Sequence, residues 1–162
     1  MPSAARFTRE IGNMSTNPVN KLSTPEPRGR SIPTQRTQAR LRERGYEVAN
    51  CERKVPISGR GFKGRLVTQD LFGFIDTLAM HKEEWKRLLA IQSTDDSHHA
   101  TRRAKIKANP LVKLWLRQCA LEIWSWGKKG GRGQRKLWTL RRERVVLDSE
   151  GKVAFEPPND TM

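Results

Sequence analysis

The chain has 162 residues, enough for one folded domain with length left over for tails. Lys and Arg outnumber Asp and Glu by 32 to 17, and the formal net charge of +15 draws the chain to polyanions, nucleic acid first and an anionic membrane surface second. No stretch approaches the roughly 18 consecutive apolar residues of a membrane span, and the first thirty residues lack the apolar run of a secretory signal.

Residues 1–33 hold Pro18, Pro25, Pro27 and Pro33, several Ser and Thr, and more cations than acids. They read as a disordered basic arm, although a mitochondrial transit segment shares that composition. Residues 34–44, TQRTQARLRER, are good helix formers, and Gly45 supplies the stop. YEVANCERKVPI follows as a strand and SGRGFKG as a turn-rich link. RLVTQDLFGFIDTLAM reads as a bent strand or hairpin in which Gly73 suits a bulge.

After HKEEWKR comes LLAIQST, apolar on both faces as a central strand should be. HHATRRAKIKA is helical, Asn109-Pro110 breaks it, and Pro110 opens a second helix through LVKLWLRQCA. LEIWSW and KLWTLRRERVVLD are strands separated by the loop GKKGGRGQRK, and residues 151–162 read as a frayed, flexible tail. Strand and helix periods alternate, which predicts an α/β domain over residues 34–150 with helices against a mixed sheet.

The candidate chemistry lies in two apolar runs that end on polar residues. FGFID ends on Asp76, and LLAIQST carries Gln92 and Thr94 on one strand face by the period of two. The order helix, three strands, helix, strand, together with Gly45-Tyr46, Gly73-Phe74-Ile75-Asp76 and Ile91-Gln92-Ser93-Thr94, resembles the PD-(D/E)XK nuclease superfamily. Within it, the chain is most similar to the small archaeal-type Holliday junction resolvases, over roughly residues 34–147.

That resemblance implies a restriction-endonuclease-like αβββαβ core, Mg²⁺ or Mn²⁺ as cofactor, and hydrolysis of DNA phosphodiesters. It implies a homodimer too, because a four-way junction presents two symmetric cuts, and it associates the chain with phage or mobile-element proteins. By position, Asp76 takes the family's Asp, Gln92 the second ligand and Thr94 the place of the Lys. Threonine brings neither positive charge nor a base, and Thr34 stands where the family has an early-helix Glu. Asp70 and Glu52 are candidate replacement carboxylates: Asp70 shares a strand face with Asp76 if no bulge intervenes, and Glu52 belongs to the preceding strand. Lys105, on the following helix, is a candidate migrated Lys. Asp95 and Asp96 are expected to cap that helix.

A second signal is electrostatic. GKKGGRGQRK carries four glycines and five cations, Lys128, Lys129, Arg132, Arg135 and Lys136, without an acid. Glycines let backbone approach a phosphate and the cations neutralise it. Arg102 and Arg103 extend the candidate nucleic-acid surface onto the helix, whereas Arg36, Arg40 and Arg44 read as a solvated helical face. Contact with backbone and duplex shape is the expected mode. DNA is the expected partner, RNA the lesser alternative, and a membrane is not expected.

His98 and His99 lack partners at zinc-like spacing and read as surface residues. Cys51 and Cys119 form neither a metal motif nor a disulfide framework, which fits a reducing compartment, the cytoplasm of a cell or of a phage host. Trp115, Trp124, Trp126 and Trp138 read as core or as packing under a helix. The reading is a DNA-binding, nuclease-like protein, possible as an Mg-dependent endonuclease with a degenerate site. Its rivals are an inactive DNA-binding accessory protein with the same fold and an RNA-binding structural protein.

Overall fold

The computed structural model describes residues 32–56, 64, 66–81 and 88–158. Residues 1–31 of the expected N-terminal arm, most of the SGRGFKG link and residues 82–87 lie outside them. Helix α1 spans Pro33–Glu43, with proline at its first position, where a missing N–H costs nothing. The Ile32 N–H is taken up by Gln35 Oε1 at 3.2 Å. The helix stops at Gly45, whose φ of +85° is one that glycine adopts without a Cβ penalty.

A mixed six-stranded sheet follows. Its strands are β1 (Tyr46–Asn50), β4 (Thr77–His81), β5 (Leu88–Asp95), β6 (Ala120–Lys129), β7 (Leu137–Leu147) and β8 (Val153–Glu156), hydrogen-bonded in that order. All neighbours are antiparallel except β5 and β6, which run parallel and register Gln92 against Ile123. The parallel pair requires a crossover, supplied by α2 (His99–Ala108) and α3 (Leu111–Leu116). A separate two-stranded sheet joins β2 (Arg53–Pro56) to β3 (Leu66–Gln69).

Both faces of the sheet are covered. On one, Leu41 of α1 packs with Ala79, Leu89, Ile91 and Trp124; on the other, Ile106 and Val112 of α2 and α3 pack with Phe74, Ile75, Ala90, Leu121 and Ile123. Burial from Leu89 to Thr94 makes β5 the central strand that its apolar run predicts. The chain is therefore an α/β domain with a mixed sheet flanked by helices. Among the described residues no helix is long and apolar enough to cross a membrane.

Several boundaries differ from the sequence reading. YEVANCERKVPI is two strands in two sheets, because the chain leaves β4 at Asn50 and pairs β2 with β3 instead. The loop after LEIWSW is shorter than expected, since β6 runs on to Lys129 and pairs it with Leu137. The second helix ends at Leu116, four residues early. The stretch read as a frayed tail contains β8, held by pairing to β7 and by burial of Val153.

Candidate metal centre

Asp70 and Asp76 are brought together by a tight turn. The Gly73 N–H donates to the Asp70 carbonyl, and the Phe74 and Ile75 N–H groups both donate to the Leu71 carbonyl. The turn needs two successive residues at positive φ, Phe72 at 54° and Gly73 at 79°. Glycine takes that conformation freely, but for phenylalanine it is strained. The Asn109 side chain stabilises it by donating from Nδ2 to the Phe72 carbonyl at 2.9 Å, which ties the turn to the α2–α3 junction. The expectation that Asp70 and Asp76 share a strand face is thus corrected: they meet across a turn.

Glu52 arrives by a different route. The Cys51 N–H donates to the Asp76 carbonyl at 2.7 Å, just past the last β1–β4 pair, and the next residue turns inward. Glu52 lies between β1 and β2 rather than on a strand. The ligand oxygens of Glu52, Asp70 and Asp76 all lie within 4.8 Å of one another.

The Asp76 carboxylate is held at both oxygens. Gln92 Nε2 donates to Oδ1 and the Ser93 N–H donates to Oδ2, each at 2.6 Å. The Asp76 N–H donates to the Ile91 carbonyl, so its backbone is locked to β5 as well. Gln92 is 1% exposed, and its Oε1, the other terminus of the same amide, is buried without a hydrogen-bond partner. Buried acceptors are nearly always paired, so this oxygen is an open acceptor that a cation could satisfy.

Electrostatics point the same way. Burial first, then the charge of Asp70 and that of Glu52, push the Asp76 carboxyl up to about 8, against the Ser93 N–H and Arg102. Glu52 is also raised, by burial and Asp70, with the Thr34 hydroxyl and Arg102 opposing. Two cations stand by: Lys105 Nζ lies 2.9 Å from Asp70 Oδ2, and the field of Arg102 reaches both other carboxylates. One buried and two half-buried carboxylates with a neutral amide form a hard oxygen donor set that could bind a metal ion, of the kind that suits Mg²⁺, Ca²⁺ or Mn²⁺.

One consequence concerns pH. Between the usual 3.8 and about 8, the folded chain keeps a proton on Asp76 that the unfolded chain has released. The contribution of Asp76 to stability therefore falls as pH rises through that window and is flat above it, with a limiting slope of about 1.4 kcal/mol per pH unit. Urea midpoints measured in chelator from pH 5 to pH 8 should drop in the wild type and stay flatter in Asp76→Asn. Parallel curves would contradict the assignment.

The structure thus brings Asp76, Gln92, Asp70, Glu52 and Lys105 together. Thr94, two residues beyond Gln92, is buried and offers only a hydroxyl; the cation comes from α2 instead. Thr34, where the family has an acid, acts on Glu52 through its hydroxyl, which favours the ionised carboxylate. Sequence reasoning did not anticipate that Arg102 would act on the triad or that the Ser93 backbone would clamp Asp76. The Ser93 contact has no sequence signal, since any residue carries that N–H.

Among the other candidates, Lys128 and Lys129 end β6, while Arg132, Arg135 and Lys136 lie exposed around the β6–β7 turn. Arg103 is engaged within the chain, 3.4 Å from Glu143 and over the Phe155 ring at 4.4 Å. His98 is exposed as expected, but His99 is not. Its ring is buried between Ser125 Oγ and Glu143 Oε2, each 2.9 Å away, because two non-local strands supply its partners. Neither Asp95 nor His98 makes a side-chain cap, and Asp96 instead accepts from Ser125 Oγ at 3.5 Å. Comparison of the chain with protein-family models, curated proteins and solved structures gave no significant match.

Proposed function

We propose that this chain is a metal-dependent DNA phosphodiesterase of the PD-(D/E)XK type, acting on branched or duplex DNA in the manner of small Holliday junction resolvases. The observation that carries the reading is the convergence of Glu52, Asp70 and Asp76 within 4.8 Å, beside a buried amide oxygen with no partner. The element order supports it as well: a helix, antiparallel strands β1, β4 and β5, two helices, then β6 parallel to β5. The small β2–β3 sheet is an insertion within that order.

A divalent cation, Mg²⁺ or Mn²⁺, would lower the pKa of a water and offset charge on the scissile phosphate. Asp76, Asp70 and Glu52 are the residues that would hold it. Gln92 and the Ser93 N–H fix the orientation of Asp76, so the ligand set is organised before any ion arrives. Lys105, 2.9 Å from Asp70, sets a positive group at the rim of the centre, where it can meet a phosphate or an attacking water. It takes over the task that Thr94 cannot perform. The exposed cations of the β6–β7 turn supply the sequence-independent grip on the backbone. A homodimer would present two such centres to a junction.

A second reading, the same fold binding DNA without cutting it, is favoured by Thr94 in the place of the family's Lys. Incubating labelled four-way junctions, duplexes and single strands with Mg²⁺ or Mn²⁺, beside a chelator control, separates the two. Metal-dependent cuts support the enzyme. Binding without cuts under every condition supports the binder, and no binding at all removes both.

A further inference from the structure

The surface between α1 and the β6–β7 hairpin does not serve the metal centre, yet it is neither apolar core nor a plain solvated face. It forms an open groove of about 820 Å³, lined by Arg36, Arg40 and Arg44 on one side and by Leu137, Trp138 and Thr139 on the other. Leu137 is 62% exposed and Trp138 39% exposed, on a chain with charge to spare for covering them. Large exposed apolar groups ringed by cations mark a recognition surface.

The arrangement has direction. The Arg36 guanidinium sits 3.5 Å from the centroid of the Trp138 ring, and Lys128 Nζ reaches the same ring at 5.1 Å. Arg40 and Arg44 continue the row at one-turn intervals, about 12 Å from Arg36 to Arg44 along the helix. Arg40 pairs with Glu43 at 2.9 Å, but both side chains are about half exposed, so a phosphate displaces that pair at little cost. The first turn of α1 borders both features: the Thr34 hydroxyl acts on Glu52 of the acidic triad, and Arg36 covers Trp138.

We propose that this groove holds unpaired nucleotides, with a base stacked against the Arg36–Trp138 pair and its phosphates on Arg40 and Arg44. Stacking needs an open base face, which a duplex keeps buried in its own helix; an aromatic platform beside a cationic row therefore selects single strands. The inference rests on the nucleic-acid reading above and narrows the substrate to one with an unpaired segment next to the cleavable duplex.

The test is fluorescence anisotropy on the full chain in chelator, with a blunt duplex, the same duplex bearing a short DNA or RNA extension, and one whose extension is abasic. Wild type should bind the natural extension roughly tenfold more tightly than the blunt duplex, the better-held sugar naming the source. The abasic extension should recover only a small part of that gain. Trp138→Ala should abolish the preference while leaving blunt-duplex affinity unchanged, and Trp138→Phe should retain most of it; urea midpoints confirm that both variants fold. An abasic extension that binds as well as the natural one, or a Trp138→Ala defect equal on all ligands, overturns the proposal. Cleavage with no extension preference overturns it alone, and failure to bind any nucleic acid overturns the DNA reading with it.

Discussion

The Asp76→Asn substitution should lower the proposed Mg²⁺-dependent cleavage by about a thousandfold, because a metal at such a centre would contribute several kcal/mol to the transition state and each decade of rate is about 1.4 kcal/mol. DNA affinity in chelator should stay close to that of the wild type, since the cations proposed to grip the backbone are elsewhere. Asparagine keeps an acceptor for the Ser93 N–H, and its NH2 can donate to Gln92 Oε1 once that amide turns over, so both contacts are replaced and the loss reports chemistry rather than unfolding. It also removes a carboxyl that burial and two acidic neighbours disfavour. The metal-free variant should accordingly be more stable than the wild type at pH 8, by on the order of 1–3 kcal/mol. Gain of stability with loss of turnover is the signature of a residue kept for function. Cleavage by the variant at the wild-type rate would mean that the triad is structural.

The largest effect on stability is expected at Arg142. Glu122 is 3% exposed on the face under α1, and it accepts two hydrogen bonds from Arg142, each at 3.1 Å, and one from Trp124 Nε1 at 2.7 Å. Arg142→Leu leaves that carboxylate buried with only the indole N–H, and stability falls by about 3–5 kcal/mol. Adding Glu122→Gln should recover most of the loss, because the charge that lacked a partner is gone. Urea denaturation of the wild type, the single variants and the double variant closes the cycle. Additive losses would show that the pair is not coupled.

How far the sequence carries this depends on which contacts are local. The central strand was legible in LLAIQST because six consecutive buried positions leave no polar face to write. The pairing of Asp76 with Gln92 was legible from two runs that end alike, and antiparallel β4–β5 pairing sets them side by side. Lys105 was legible as a cation on the next helix. The rest of the site was less so. Asp70 reaches Asp76 through positive φ at Phe72 and Gly73, and only the glycine advertises such a turn. Glu52 turns inward where β1 leaves its partner, an event set by the length of β4.

His99 reads as a surface residue until Ser125 and Glu143 arrive from strands 26 and 44 residues away in sequence. Strand β8 is four residues in a stretch rich in proline and charge, and it exists because β7 offers an open edge. The Trp138 groove was hidden for a related reason. Arg36, Arg40 and Arg44 look solvated on their helix, and only the fold sets an exposed aromatic against them.

Titration of Mn²⁺ into metal-free protein, followed by the loss of the free-ion electron paramagnetic resonance signal, reads occupancy of the acidic triad without reference to cleavage. The expectation is saturable binding at the triad in the wild type, lost in Asp76→Asn and weakened in Gln92→Leu. Wild-type protein that binds no Mn²⁺, or an Asp76→Asn variant that binds it unchanged, would contradict it.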